Sequence, residues 1–293
     1  MLDEKLIVQE ISQIEGLGVL VKAYAEIASV RMKKTRVNVL ANRDFLAEIM
    51  RVFDEVRASY AKEILALSKR KGLKKGEKIT FLGHNGKTVS VLLSANTGLY
   101  GEIVQSTLNL FMEEVRKNIS EVTIIGKHGL SLFLGEEQER PYSYFDLPDD
   151  KIETTQLSNI IRHIVQYEEI HVFYGKFQSV IKQIPSTFEI SAGITLSEER
   201  SKTLIKYLFE PSLEKILMFF ETEIFGSLFE QVVRESALAK FASRVMAMNR
   251  ADGNIKIELK RLLLEKTRIN HRALNRKQLN SLISAYGYER KYG

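Results

Sequence analysis

Cysteine and tryptophan are both absent from the 293 residues. Without cysteine there can be no disulfide, no thiolate metal site and no cysteine nucleophile, which suits a reducing compartment. Proline is scarce as well, four in all, beside 17 glycines. So few breakers fit long uninterrupted helices better than many short strands. No run of eighteen apolar residues occurs, so no membrane-spanning helix is expected. The opening Met1-Leu2-Asp3-Glu4-Lys5 is acidic where a secretory leader needs basic charge. The expectation is a cytoplasmic protein that reaches a membrane only through partners, with no direct insertion.

The usual marks of catalysis are missing too. There is no Walker motif, no GxSxG and no HExxH. The five histidines (His84, His128, His163, His171, His271) include no two within four residues, so no helical metal pair exists. Glu113-Glu114, Glu168-Glu169 and Glu198-Glu199 are adjacent, and adjacent side chains point apart. They read as solvated carboxylates rather than an acid/base pair. Gly98-Leu99-Tyr100-Gly101 lacks the lysine or GxGxxG spacing of a phosphate cradle, and it reads as a strand-to-helix turn. Gly126-Lys127-His128-Gly129 also reads as a turn, leading into the apolar run Leu130 to Leu134. We expect no catalytic residue, no metal and no cofactor held by this chain.

Hydrophobic residues make up 44% and charged residues 27%, a composition that folds. The net charge of +6 is mild. Its placement is not. From Arg244 onward there are twelve Lys and Arg against four Asp and Glu, so the rest of the chain is slightly acidic. A binder of single-stranded nucleic acid would interleave aromatics among those cations. Phe and Trp are absent from Arg250 onward, and Tyr enters only at Tyr286. Nucleic acid is therefore not an expected partner, although a scaffold or nucleic-acid-binding coiled coil remains the reading that the basic end alone would suggest.

Residues Leu2 to about Arg70 read as helix. Ile7, Ile11, Ile14, Gly18, Val21, Ala25, Ala28, Met32, Thr35 and Val39 follow one another by fours and threes, a heptad-like stripe. A helix of about 55 residues would be about 80 Å long, more than a globular core needs. Two helices broken near Gly16 and Gly18 is the alternative. The chain from about Ser212 to Tyr286 is again free of proline. Ile255, Leu259, Leu262, Ile269 and Ala273 form one stripe, interrupted by Lys266. Leu264, Thr267, His271 and Leu274 form another, and Asp252-Gly253-Asn254 is the weak spot for helix.

Between these lies a different pattern. Lys78–Leu82 and Thr88–Leu93 are short β-type runs around His84-Asn85-Gly86, a hairpin signal. Ser94 to Gly101 reads as loop, Glu102 to Arg116 as helix and Val122 to Ile125 as strand. Gly135 to Asp150 reads as a polar stretch, Thr155 to Tyr167 as helix, and Ile170–Phe177 and Ser179–Ile184 as strands ending at Pro185. That alternation is the order of a small α/β domain with a partly parallel sheet. The fold class expected is α/β with long terminal helices: residues 1–70 and 207–293 pair as an antiparallel two-helix coiled coil, and 71–206 form the α/β domain. The second helix is the longer, so its basic end should project alone.

Specific motifs then accumulate in order. Tyr207-Leu208-Phe209-Glu210-Pro211-Ser212-Leu213-Glu214-Lys215-Ile216-Leu217 resembles the Y-x-FEPS-x-E-x-x-L segment of the gamma subunit of F-type ATP synthases. Tyr174-Gly175-Lys176-Phe177 with Gln183 and Pro185 resembles that family's Y-N-K-F…Q-x-P stretch. Glu235-Ser236 with Ala242-Ser243-Arg244-Val245-Met246-Ala247-Met248 resembles its ES…AARM-x-AM run. Ser94 to Gly101 is similar to its S-T-D-R-G-L-C-G loop, Lys22-Ala23 to its K-A, and Gly126 to Gly129 to its I-G-K-K-G turn.

The resemblance implies a shaft of paired terminal helices with a Rossmann-like domain at its base. It implies that the shaft turns inside a hexamer of alpha and beta subunits, which bind ATP, ADP and Mg, while epsilon and the membrane c-ring grip the base. It also implies location on the cytoplasmic face of the membrane through that complex. Ring contacts are expected from Lys22, Tyr24, Arg31 and Lys33 on the first helix. On the second they are expected from Lys256, Lys260, Arg261, Arg268, His271, Arg272 and Asn275. Gly98, Leu99, Gly101, Glu210 and Pro211 are the base-domain motif.

The chain departs from the family's pattern in several places. K-I-T becomes Val19-Leu20-Val21, D-R-G-L-C-G-G becomes Asn96 to Glu102, and R-Q-x-x-I-T-x-E becomes His271 to Gln278. A rotor of a specialised ATPase not coupled to protons is the alternative those departures allow.

Overall fold

The computed structural model describes residues 2–60, 63–64, 83–149, 152–191, 210 and 212–292. Helix α1 runs Leu2–Ser59 and passes through Gly16 and Gly18 without a break. Then come β1 (Thr88–Leu93), α2 (Ile103–Lys117), β2 (Glu121–Ile125), α3 (Lys127–Glu136) and β3 (Tyr142–Phe145). They are followed by α4 (Thr154–Ile164), β4 (Glu169–Phe177), β5 (Gln183–Ser191) and α5 (Leu213–Tyr292). Helix α5 also continues through Asp252-Gly253-Asn254. The architecture is the expected one: long terminal helices around a central α/β domain.

The five strands lie in the order β3-β2-β1-β4-β5. The first four are parallel, and β5 pairs antiparallel with β4. Alternation sorts the side chains of β1 to two faces. Leu92 joins Leu108, Phe111, Met112, Val122, Ile124, Phe133 and Phe173 in the layer under α2 and α3. Val89, Val91 and Leu93 join Ile160, Ile164, Val172, Phe229, Val232 and Val233 in the layer under α4 and α5. Helices on both faces of a mostly parallel sheet give the three-layer arrangement.

Four local expectations give way. Both edges of β1 are occupied by parallel neighbours, so no hairpin closes onto it at Asn85-Gly86. The other proposed arm, Lys78–Leu82, lies outside the described residues. The stretch read as polar, Gly135 to Asp150, contains the edge strand β3, whose exposed Tyr142 and Tyr144 hide the strand pattern. The second strand of the β4–β5 pair does not end at Pro185 but runs through it to Ser191. An outer strand leaves the missing N–H of proline on the open edge, where no ladder bond is lost. Lys127 to Gly129, read as part of a turn, instead open helix α3, which also carries the apolar run Leu130 to Leu134.

Gly126 makes that turn from β2 into α3. Its φ is 106°, and a Cβ there would lie 2.8 Å from the carbonyl oxygen of Ala95. Gly129 packs flush on Ser94, whose Cβ would sit 2.2 Å from an added methyl.

By internal contacts the chain divides into two compact units, residues 1–28 with 245–293, and residues 29–244. In the first, Ile7 and Ile11 of α1 pack with Leu262 of α5, and Ile14 and Leu259 join them. Gly18 brings the α1 backbone within reach of Ile255, at 3.4 Å from its ideal Cβ. Positions rise along α1 as they fall along α5, so the pair is antiparallel. The same sense holds in the second unit, where Asn42 donates to the Ser227 carbonyl at 3.2 Å and Phe53 meets Phe220 at 5.6 Å between ring centres.

Candidate functional site

The exposed surface of the helix pair in the first unit carries most of the residues expected to touch a partner. Every member of the α1 stripe from Ile7 to Ala28 is buried or half-buried, and the stripe continues through Met32, Thr35 and Val39 in the second unit. On α5, Ile255, Leu259, Leu262, Lys266 and Ile269 are turned inward, whereas Ala273 is exposed. The second α5 stripe, Leu264, Thr267, His271 and Leu274, faces solvent throughout. From His271 to Ile283 every side chain is exposed.

Lys22, Tyr24, Lys256, Lys260, Arg261, Arg268, His271, Arg272 and Asn275 all lie exposed on this unit. Lys33 is exposed and Arg31 half-buried on the α1 segment of the other. The cations do not form one patch. Arg261, Arg268 and Arg272 line an open groove of about 720 Å³ with Leu6, Ile7 and Glu10. Arg261 is held by Glu258 at 2.5 Å and by Glu265 at 3.8 Å on its own helix. Lys256 pairs with Asp252 at 2.6 Å. That hydrogen bond, with the charge of Lys22 adding to it, keeps the Asp252 carboxyl below its usual range. Exposed pairs of this kind are screened by solvent and are easily exchanged.

Apolar side chains stand among these charges. Val19, Leu20, Ile27, Ile257, Leu263, Leu264, Leu274 and Leu279 are large and exposed. Among the described residues of its own unit nothing covers these apolar side chains, and mixed basic and apolar surfaces of this kind mark interaction sites.

In the second unit the base-domain motif has a different character. Leu99 is one residue of a loop whose backbone is turned back on itself: φ is 67° at Leu99 and 64° at Gly101. Leu99 leaves its side chain 57% exposed. The Gly98 carbonyl accepts from Arg244 at 2.6 Å, and the Leu99 carbonyl at 3.3 Å. Glu210 is exposed, and Pro211 lies outside the described residues. The Arg244 guanidinium lies 3.7 Å from the centre of the Tyr100 ring, within cation–π reach. Burial, with the negative charge of Asp149 behind it, pushes the Tyr100 hydroxyl up to about 12.

Beneath this loop sits an ion pair that the sequence reading does not single out. Lys240 Nζ donates to Asp149 Oδ1 at 2.8 Å and to the Ser94 carbonyl at 2.8 Å. The one available signal is a lysine inside Ala237-Leu238-Ala239-Lys240-Phe241-Ala242, a segment enclosed on all sides. A buried lysine needs a partner, but nothing local says which. Among the described residues no cluster of three or more His, Asp or Glu could hold a metal. No described helix is long and apolar enough to cross a membrane.

Comparison with known proteins agrees with this geometry. The family described as ATP synthase matches residues 4–271. The ATP synthase gamma chain of Roseiflexus sp. (strain RS-1) is 23% identical over 269 residues, covering 86% of this chain and 87% of its own. The gamma chain of Desulforamulus reducens is 23% identical over 288 residues, covering 94% and 95%.

Among experimental structures, a chain of the Euglena gracilis mitochondrial ATP synthase (OSCP/F1/c-ring, rotational state 3) superposes with a TM-score of 0.67. It does so at 14% identity over 99% of this chain and 97% of that one. A chain of the Tetrahymena thermophila mitochondrial ATP synthase central stalk and c-ring gives a TM-score of 0.56 at 17% identity, over 79% and 99%. Motif order, fold and a family match along most of its length place the chain in one group: it belongs to the gamma-chain family of F-type ATP synthases.

Proposed function

We infer that this chain is the central rotor shaft of an F-type rotary ATP synthase. It turns inside a ring of alpha and beta subunits and makes no covalent bond itself. The observation that carries this reading is the antiparallel pair formed by residues 1–28 and 245–293, with its apolar side chains left exposed around the outside. Such a surface fits an enclosing partner. Because it is basic on one helix and uneven in apolar content, different neighbours in a ring meet different faces. Differential contact energy then favours a different conformation in each, which is how a shaft can bias chemically equal subunits.

In this reading ATP, ADP and Mg are bound by the alpha and beta subunits. Lys22, Tyr24, Arg31, Lys33, Lys256, Lys260, Arg261, Arg268, His271, Arg272 and Asn275 contribute ring contacts. Attraction between the basic helix and acidic surfaces is long-ranged and needs no fixed pairing, which suits a sliding contact. Epsilon and the c-ring hold the base unit, and the complex keeps the chain on the cytoplasmic face of the membrane.

Pull-down of the tagged chain from its own cells tests the reading. Alpha and beta subunits are expected in excess over the bait; recovery of neither would refute it. The replacement of the family's R-Q-x-x-I-T-x-E by the exposed segment His271 to Gln278 favours a second reading, a rotor that hydrolyses ATP without moving protons. ATP-driven acidification of membrane vesicles carrying the assembly separates the two: its presence excludes the uncoupled rotor.

A further inference from the structure

The base unit holds two cations of α5, one turn apart, against a single loop. Lys240 is 8% exposed and Arg244 6%. Lys240 Nζ reaches Asp149 Oδ1 and the Ser94 carbonyl, both at 2.8 Å. The second oxygen of Asp149 accepts the backbone N–H of Asn96 at 2.9 Å and of Thr97 at 3.1 Å. One turn along, Arg244 donates to the Gly98 carbonyl at 2.6 Å and to Thr97 Oγ1 at 3.1 Å, and stacks on Tyr100. Burial by itself would raise the Asp149 carboxyl. The pairing with Lys240 and the two backbone donors outweigh it and keep the group below its ordinary range. The loop so held, residues 94–101, leaves the end of β1, the middle strand of the sheet.

Stability alone is a poor reason for this arrangement. Replacing a buried ion pair by apolar side chains of similar volume is often neutral or stabilising. What apolar contact lacks is direction. Ala237 and Phe241 pack on Ala95, Tyr100 and Ile103 at the same junction, and such contacts are non-directional. Charge-assisted bonds to fixed carbonyl and amide groups resist displacement in a defined direction.

We propose that Lys240 and Arg244, with Asp149 and the 94–101 loop, form the clutch that locks the sheet of the base to helix α5. They are positioning residues for torque transfer. This rests on the rotor reading, because only a turning shaft loads that junction.

The test uses the chain assembled with its own alpha and beta subunits. The chain has no native cysteine, so Ile181→Cys, at a 78% exposed site on the β4–β5 turn, takes an optical probe on the sheet alone. With the ring stalled on a nonhydrolysable nucleotide, the angular variance of the probe reports the compliance between sheet and shaft. The double variant Asp149→Leu/Lys240→Met is expected to melt below the parent, because the Asn96 and Thr97 N–H groups and the Ser94 carbonyl lose their side-chain partners, and to raise that variance about two-fold or more, since directional bonds are lost while burial is kept. Arg244→Met, which leaves the buried pair in place, is expected to raise it by a smaller factor. Unchanged variance in whichever of these assembles overturns the clutch. Failure of the parent chain itself to assemble with alpha and beta would instead count against the rotor reading.

Discussion

Phe111, Phe133, Phe173, Phe229 and Phe241 are all enclosed in the unit of residues 29–244. In the unit of residues 1–28 and 245–293 the buried apolar residues among those described are Ile7, Ile11, Ala28, Met248 and Leu262, and Ile7, Ile11 and Leu262 form one narrow seam flanked by partly covered Ile14, Leu259 and Ile269. The cause is geometric. A sheet with helices on both faces covers nearly every apolar side chain it carries. Two helices share only one line of contact, and whatever is apolar elsewhere on them has no cover within the unit. The sheet of the base is therefore covered by its own helices, while the helix pair leaves apolar side chains exposed. The rotor reading uses both properties, a rigid base and a surface completed by partners.

Substitutions can break or sharpen that contrast. The largest effect is expected in the base. Phe111→Ala removes a ring that Phe133 and Phe173 each meet edge-on, at 6.2 and 5.4 Å between ring centres, and should cost about 3–5 kcal/mol in a thermal or denaturant melt. A loss under about 1 kcal/mol would mean that this layer is looser than its burial implies. Next comes Leu262→Pro in the seam, which removes a helical bond and clashes with the preceding turn. It should cost about 3 kcal/mol or more of helix, seen as lost helical signal from the α5 end, with coupled ATPase activity abolished in the assembly. Intact coupling would contradict the coiled-coil assignment.

A smaller effect depends on pH. The Asp149 carboxyl is depressed in the folded state, so its stabilisation is present above its ordinary value of 3.8 and is lost as pH falls through the lower folded value. Asp149→Asn should therefore flatten the acid limb of the stability curve; an unaltered limb would show that other carboxylates set it. The smallest effect on folding is expected for Ile257→Ser and Leu264→Ser, which are 70% and 55% exposed. They should change stability by about 0.5 kcal/mol or less, yet weaken assembly with alpha and beta in the pull-down. If they destabilised the isolated chain as Phe111→Ala does, the distinction between the two units would fail.

The heptad-like spacing on α1 was readable because helical register is local. Each member of the stripe from Ile7 to Val39 is turned inward whatever that face meets. The basic end of α5 was readable directly from the charges along the sequence. The strand pattern was readable only where both faces are buried. Val122 to Ile125 is mostly apolar and buried throughout and was legible, whereas the edge strand Tyr142–Phe145 exposes half its side chains and resembles a polar connection.

What tertiary structure alone decided is which distant residues meet. Lys240 and Asp149 are 91 residues apart in the chain and share no spacing that periodicity could detect. The neighbours of β1 are likewise strands from elsewhere in the chain, so the hairpin suggested by Asn85-Gly86 had no edge to occupy. Local propensity and periodicity extend over a few turns. Pairing between segments is settled by which arrangement buries the apolar faces together and leaves no buried charge alone, and that is a property of the whole fold.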